Sequence, residues 1–165
     1  MNGGLKALLF GCGSMVFLGI VGVVVGVIWL AQAPEPGVKM ANEMDEYALE
    51  YIAQHNILEP GENLVAYYDA TVSMNGKEAA ILTTSRVLYH KNNATTAMDL
   101  ADVVDVSHRN ETLLGDTFEI SSVTGEMMKI EIAPLNNGAT FKTALMGAVE
   151  ANQSTQANRT TDDGV

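Results

Sequence analysis

Hydrophobic and polar positions follow three different patterns along the chain, and the first is a long uncharged run. From Ala7 to Ala31 the sequence reads ALLFGCGSMVFLGIVGVVVGVIWLA and contains no charged residue. A helix of this length spans about 37 Å, which is enough to cross a hydrocarbon core of about 30 Å. The pattern predicts a transmembrane helix over residues 7–31, within an N-terminal segment of residues 1–33.

Two alternatives accompany this prediction. Ala31-Gln32-Ala33 resembles a signal-peptide cleavage site, so removal of the segment is an alternative to a permanent anchor, although the apolar run is long for a signal peptide. Four glycines share one face of the predicted helix, and small residues allow membrane helices to pack closely. A span rich in glycine and valine also contains such spacing by chance, so both interpretations stay open. The glycines are Gly11, Gly19, Gly22 and Gly26.

The charges on either side of the predicted span bear on its orientation. Lys6 and the terminal amine precede it, whereas Lys39 and an acidic run follow it. Counting positive charges favours a cytoplasmic N-terminus and a domain outside the cytoplasm, by a margin of one charge.

Residues 34–61 are predicted to be a linker and an amphipathic helix. Pro34 and Pro36 stop the membrane helix, because proline lacks a backbone donor and disfavours helix in the residue before it. Apolar positions then recur at helical steps through residues 38–56, opposite an acidic face. We expect this stripe to pack on the following domain; a partner-binding or membrane-surface helix is the alternative. The stripe comprises Met40, Met44, Tyr47, Ala48, Tyr51, Ile52 and His55.

From Leu64 the pattern changes to a period of two, which is typical of half-buried strands. Asn75-Gly76 predicts a hairpin turn after the first of these strands. About seven short strands at regular spacing indicate a sandwich or barrel. The predicted strands are 64–73, 78–84, 86–91, 95–100, 103–109, 117–123 and 127–133.

The helical period returns after Pro134. Phe141, Leu145 and Val149 lie on one face of a helix predicted to reach about Ala151. Residues 152–165 are polar and without periodicity, so they are predicted to be a disordered tail.

Seven strands followed by one closing helix resemble the pleckstrin-homology (PH) superfold. The phrases Leu58-Glu-Pro-Gly-Glu62, Ala80-Ile-Leu-Thr-Thr-Ser-Arg-Val-Leu-Tyr89 and Met98-Asp-Leu-Ala-Asp-Val-Val104 are similar to the bacterial PH-like, or GRAM-like, domains. The likeness covers roughly residues 57–151. It implies a mainly β fold, a strongly bent seven-stranded sandwich or barrel over residues 62–151 capped by the C-terminal helix. It also implies a binding or scaffolding role without catalysis, usually at a membrane.

The best-known ligand of that family is not expected here. Phosphoinositide-binding members carry several basic residues in and beside the first hairpin, where they pair with phosphates. Here that hairpin offers Lys77 alone, beside Glu78. Arg86 is more simply interpreted as a strand-end residue that bonds nearby carbonyls or an acid.

Composition removes further classes of function. The chain has 20 acidic against 9 basic residues and a formal charge of −11, which disfavours nucleic acid and anionic lipids. Its single cysteine, Cys12, lies inside the predicted span, and no hydrolase, nucleotide-binding or metalloprotease motif occurs. We therefore expect no enzyme activity and no cofactor.

One acidic region supplies the alternative to that view. Carboxylates and an imidazole could together coordinate a divalent cation in a metal-binding accessory subunit or enzyme. Their spacing of three residues suits a helix, whereas this stretch has the pattern of strand and turn, which scatters the side chains. The residues are Asp99, Asp102, Asp105 and His108.

The sequence as a whole predicts a single-pass protein of the bacterial inner membrane that displays a PH-like domain as a non-enzymatic binding module. A protein partner or a second copy is the expected partner. A peripheral lipid sensor is a further alternative. Many proteins with this kind of domain place it inside the cell, so the side of the membrane stays open.

Overall fold

A computed structural model of the chain describes residues 36–162, and side chains through residue 158. The described residues belong to one compact unit. The predicted membrane helix and its four glycines lie outside the described residues. Within residues 36–162, no helix is both long and apolar enough to cross a membrane.

The described part is mainly β, as the sequence predicts, with two antiparallel sheets and a C-terminal helix. One sheet has the order β1-β2-β3-β4-β5 and the other the order β6-β7-β8. In chain order the elements are β1 (Lys39–Met40), α1 (Glu46–Gln54), β2 (Leu64–Asp69), β3 (Glu78–Thr83), β4 (Arg86–Lys91), β5 (Ala94–Asp99), β6 (Val103–Glu111), β7 (Gly115–Ser122), β8 (Met127–Ile132) and α2 (Gly138–Asp162). The seven strands predicted from alternation are β2 to β8, and each is confirmed to within a few residues.

The main core lies between the two sheets and α2. Alternate residues of β7 and β8, among them Phe118, Ile120 and Ile130, are fully buried there. Phe141 and Leu145 of α2 are also fully buried, and the rings of Phe118 and Phe141 meet edge to face at 5.5 Å between centroids. The predicted face of the closing helix therefore does complete the core.

Helix α1 packs on the other face of the five-stranded sheet, as expected for the amphipathic stripe. Ala48 and Ile52 are buried against Ile81 and Leu88. This second core explains why β3 is buried along nearly its whole length: Ile81 faces α1, whereas its neighbours Ala80 and Leu82 face α2 and the other sheet.

The prediction that this helix begins at residue 38 is wrong. Lys39 and Met40 form β1, which pairs with Tyr67 and Ala66 of β2, and a short 3-10 turn follows at Ala41–Glu43. The helix proper begins at Glu46 after an extended Asp45. Met40 packs against the main core from β1. An apolar residue is therefore needed there in a strand as well, and its helical spacing from Met44 is a coincidence.

Helix α2 also differs from its prediction, because it continues to Asp162 rather than ending near Ala151. Residues 152–162 are therefore helical where the sequence predicts a disordered tail. The Asn152 Nδ2 atom donates to the Thr84 carbonyl at 3.0 Å, and Gln153 Nε2 donates to the Val103 carbonyl at 2.9 Å. These bonds fix the polar extension to the β3–β4 turn and to the start of β6.

Candidate binding site at the free edge of β5

Strand β5 is an edge of the five-stranded sheet. It pairs with β4 from Lys91↔Ala94 to Arg86↔Asp99, and no strand within residues 36–162 pairs with its other side. Asn92 and Asn93 make the connecting turn with φ angles of 48° and 68°, the left-handed conformation that a two-residue hairpin of this kind requires. The Asn92-Asn93 turn thus fixes the register of this edge.

The edge of β5 has a composition unlike that of the other edges. Ala94 to Met98 carry no charge and no proline, and only Met98 among them is buried. Strand β6 carries Asp105, Arg109 and Glu111, and β8 carries Lys129 and Glu131. Charged side chains and proline are the usual protection of a sheet edge against pairing with another chain. Strand β5 lacks both along five consecutive residues.

A groove of about 270 Å³ runs beside this edge, between β5 and the start of β8. Met98 and Met128 form its buried floor, and Met127 stands at its rim with 72% of its surface exposed. Methionine side chains are flexible and polarisable, so they adapt to different apolar partners. Glu126 lines the same groove and is exposed, which gives one end of it a negative charge.

The β3–β4 hairpin behind this edge is held by Arg86, which sequence reasoning interpreted as a strand-end residue bonding an acid. Arg86 Nε donates to Glu62 Oε1 at 2.8 Å, and Arg86 Nη2 donates to Glu62 Oε2 at 2.5 Å. Glu59 adds a contact at 2.9 Å to Nη1. The hydrogen bonds from Arg86 lower the pKa of Glu62 from 4.5 to about 2. The interpretation that Arg86 bonds an acid is confirmed. Its contacts with Glu62 and Glu59 hold the start of β4 against the loop before β2.

The four candidate metal ligands are not brought together. Asp99 ends β5 opposite Arg86, Asp102 lies in a 3-10 turn, and Asp105 points outward from β6 opposite Ser121. His108 points inward from β6, where its Nε2 lies 2.7 Å from Asp116 Oδ1 and its ring stacks on Phe118. In the described part of the chain, no group of three or more His, Cys, Asp or Glu side chains could hold a metal ion.

The structure instead brings His55, the last residue of the amphipathic stripe, close to His90, with 6.2 Å between the ring centroids. His55 stacks on Tyr51 at 3.9 Å between centroids, and the Tyr51 hydroxyl lies 3.2 Å from Nε2 of the buried His90. The Nδ1 atom of His90 lies 2.9 Å from the Thr95 hydroxyl, so both ring nitrogens have partners. Burial, with a smaller contribution from His55, lowers the pKa of His90. Only the step of four from Tyr51 to His55 was visible in the sequence.

Comparison with known proteins adds no identity to this geometry. No family model matches the sequence, and no curated protein is significantly similar to it.

Proposed function

We propose that this chain is a single-pass, membrane-anchored binding module without enzymatic activity, built on a PH-like domain. Its task is to take up an extended segment of a partner protein as a sixth strand beside β5. Two antiparallel sheets of five and three strands with a C-terminal helix are compatible with the PH order. The anchor is the uncharged segment of residues 7–31, which places the module at a membrane, in our proposal the bacterial inner membrane.

The observation that carries the proposal is the unprotected edge of β5. An added strand gains main-chain hydrogen bonds from the edge, while pockets for alternate side chains supply selectivity. The methionine-lined groove beside β5 would take one apolar side chain of the incoming segment. An exposed edge without charges tends to pair with other chains and aggregate. A specific partner that covers β5 would prevent this.

Charge favours another protein over a second copy of this chain. Each copy carries a formal charge of −11, so two copies repel each other. Glu126 borders the groove and Asp99 ends the strand. The incoming segment is therefore expected to carry an apolar side chain near Met98 and Met127 and a lysine or arginine near Glu126.

Photo-crosslinking in living cells tests this directly. Benzoylphenylalanine would replace Thr96 on β5 of the full-length chain, and Ser107 on the edge strand β6 would be the matched control position. Both residues are exposed in edge strands, but Asp105 and Arg109 lie two residues to either side of Ser107. We expect an adduct at Thr96, and sequencing of that adduct should place the crosslink in an extended segment with a basic residue.

The partner segment, made as a synthetic peptide, should then slow amide hydrogen exchange in β5 of the full-length protein. It should lose binding to the Ala97→Lys variant, whose charge protects the edge, and keep binding to Ser107→Lys. Equal adducts at Thr96 and Ser107, unchanged exchange in β5, or an adduct that joins two copies of this chain would each refute the proposal.

A further inference from the structure

Four exposed aliphatic side chains lie on three loops of the described unit. Val72, on the β2–β3 loop, and Leu135, on the loop before α2, are both fully exposed. Leu113 and Leu114 form the tip of the β6–β7 turn and are 88% and 68% exposed. None of the four belongs to either hydrophobic core.

The three loops border a common groove at one end of the sandwich. This groove of about 390 Å³ is lined by Ala70, Leu113, Leu114, Ala133 and Pro134, among others. Val72 follows Ala70 by two residues, and Leu135 follows Pro134 directly. Leu113 and Leu114 thus line the groove, and Val72 and Leu135 lie on loops that border it. Exposed apolar residues at one end of a domain mark an interaction surface more often than scattered ones do.

The described chain also begins at this end. The Val38 amide donates to the Asn136 carbonyl at 2.9 Å, directly beside Leu135. The uncharged segment predicted to enter a membrane ends at Ala31, and the seven residues from there to Val38 reach at most about 24 Å when fully extended. This step rests on the proposed function, in which residues 7–31 anchor the chain: the short linker then limits how far this end of the domain can lie from the bilayer.

We propose that the apolar tips, defined as Val72, Leu113, Leu114 and Leu135, rest in the interface of the lipid bilayer. This contact is a second attachment of the protein to the membrane, distinct from the predicted helix and from the β5 edge. Apolar side chains at an interface typically enter the boundary between headgroups and acyl chains by about 5–10 Å.

The charges near the groove define which lipid surface fits. Glu78 and Glu131 line it, although Lys91 lies 3.0 Å from the first and Lys129 lies 2.6 Å from the second. Each of these two lysines is thus paired with a glutamate, and the described residues around the groove offer no excess of positive charge to anionic headgroups. The contact therefore depends on apolar burial and is expected on phosphatidylcholine, without strengthening by anionic lipid.

Depth-dependent fluorescence quenching tests the contact in the full-length protein reconstituted into phosphatidylcholine vesicles. In a Cys12→Ser background, Leu114→Cys and Leu135→Cys would each carry a small fluorescent label. Val123→Cys is the matched control, because Val123 is 64% exposed on the β7–β8 turn, at the other end of β7 from Leu114. The label replaces an exposed side chain in every case, so folding is preserved.

We expect lipids with a spin label near the headgroup to remove more than about half of the fluorescence at Leu114 and Leu135 and little at Val123. Aqueous iodide should show the opposite order. Equal quenching at all three positions, or strong iodide quenching at Leu114, would overturn the proposal. So would shielding from both quenchers together with crosslinks between copies, since a second copy would then cover the tips.

Discussion

Arg86 and Glu62 form a bidentate ion pair that joins the loop before β2 to the start of β4. Glu62 lies in the Glu-Pro-Gly-Glu loop before β2, and Arg86 begins β4 after the Thr84-Ser85 turn. Thr83 and Ser85 donate further hydrogen bonds to Glu62 Oε1 at 2.9 and 2.8 Å. The carboxylate is thus the acceptor around which the β3–β4 turn is built.

Substitution of Glu62 by glutamine should destabilise the protein strongly. The side chains of Arg86 and Glu62 are only 13% and 6% exposed, and removal of one partner from a buried pair costs about 3–5 kcal/mol. Glu59 still contacts Arg86 at 2.9 Å, so we expect the lower end of that range. Urea denaturation of the full-length protein measures the change in the free energy of unfolding. Arg109→Ala is the control, because its pair with Glu119 is 59% and 38% exposed and should contribute less than about 1 kcal/mol.

The same pair should make stability fall at acidic pH. The pKa of Glu62 is lowered from 4.5 to about 2 in the folded protein, so its contribution is complete above the unfolded pKa and is lost as the pH falls toward 2. Denaturation of wild type and Glu62→Gln at pH 6 and pH 3 measures this. The difference between the two proteins should shrink at pH 3, and a constant difference would contradict the assignment.

Gly115 and Gly125 should respond differently to alanine. Both have positive φ, 84° and 83°, so alanine at either position meets the same backbone penalty of about 1–2 kcal/mol. A Cβ atom at Gly115 would lie 2.1 Å from the Ile132 carbonyl oxygen, whereas one at Gly125 meets nothing within 4 Å. Gly115→Ala should therefore cost at least about 2 kcal/mol more than Gly125→Ala in thermal unfolding. Similar costs would show that the backbone at Gly115 can move away from the Ile132 carbonyl at little cost.

The adjacent tyrosines of β2 should show opposite effects when each loses its hydroxyl group. Tyr67 faces α1, and its buried hydroxyl makes no hydrogen bond to the protein atoms described. Tyr68 faces the other core, and its hydroxyl accepts a bond from the Ala133 amide at 3.1 Å. Tyr67→Phe should be neutral or stabilising by up to about 1 kcal/mol, whereas Tyr68→Phe should cost about 1 kcal/mol. Chemical denaturation measures both, and a clear loss in Tyr67→Phe would reveal a partner for that hydroxyl.

His90 should make stability fall between neutral and mildly acidic pH. Its pKa is lowered, by burial first and by repulsion from His55 second. The unfolded chain, with an ordinary histidine pKa of about 6.5, therefore binds a proton that the folded protein resists. Stability is complete above that pH and declines as the pH falls through it. His90→Gln should flatten the slope between pH 7.5 and pH 5.5, and His55→Gln, the control, should keep most of it.

Strand β2 shows most clearly which features of the structure can be predicted from the sequence. Alternation identified this strand, because a period of two is a local property of the sequence. The expectation that the strand is only half-buried was wrong: Ala66 to Asp69 are all buried, because α1 covers the face that carries Tyr67. The predicted end of β2 was also wrong: the predicted strand ran to Ser73 and the turn was placed at Asn75-Gly76, whereas β2 ends at Asp69 and residues 70–77 form a loop. The Asp69 carboxylate accepts bonds from the amides of Thr71 and Gly76 at 2.8 and 2.7 Å.

Such a loop could not be predicted, because its stability comes from a distant residue as well. The Tyr47 hydroxyl donates to Asp69 Oδ2 at 3.2 Å, although the two residues are 22 positions apart. The same limit explains the polar end of α2, where Asn152 and Gln153 bond to backbone carbonyls of other elements. The candidate edge was predictable as a strand, but its free side depends on which strands pair, and that follows from the tertiary structure alone.

The packing of α2 has a consequence for the order in which the protein can fold. Phe141, Leu145 and Val149 fill the space between the two sheets, and they are synthesised after every strand. During translation the apolar inner faces of the sheets are expected to stay only partly covered until residues 141–149 leave the ribosome. Chains whose core is completed by a late, distant segment expose hydrophobic surface for longer and depend more on chaperones. We therefore expect the nascent chain to be protected from aggregation only after α2 has emerged and packed between the sheets.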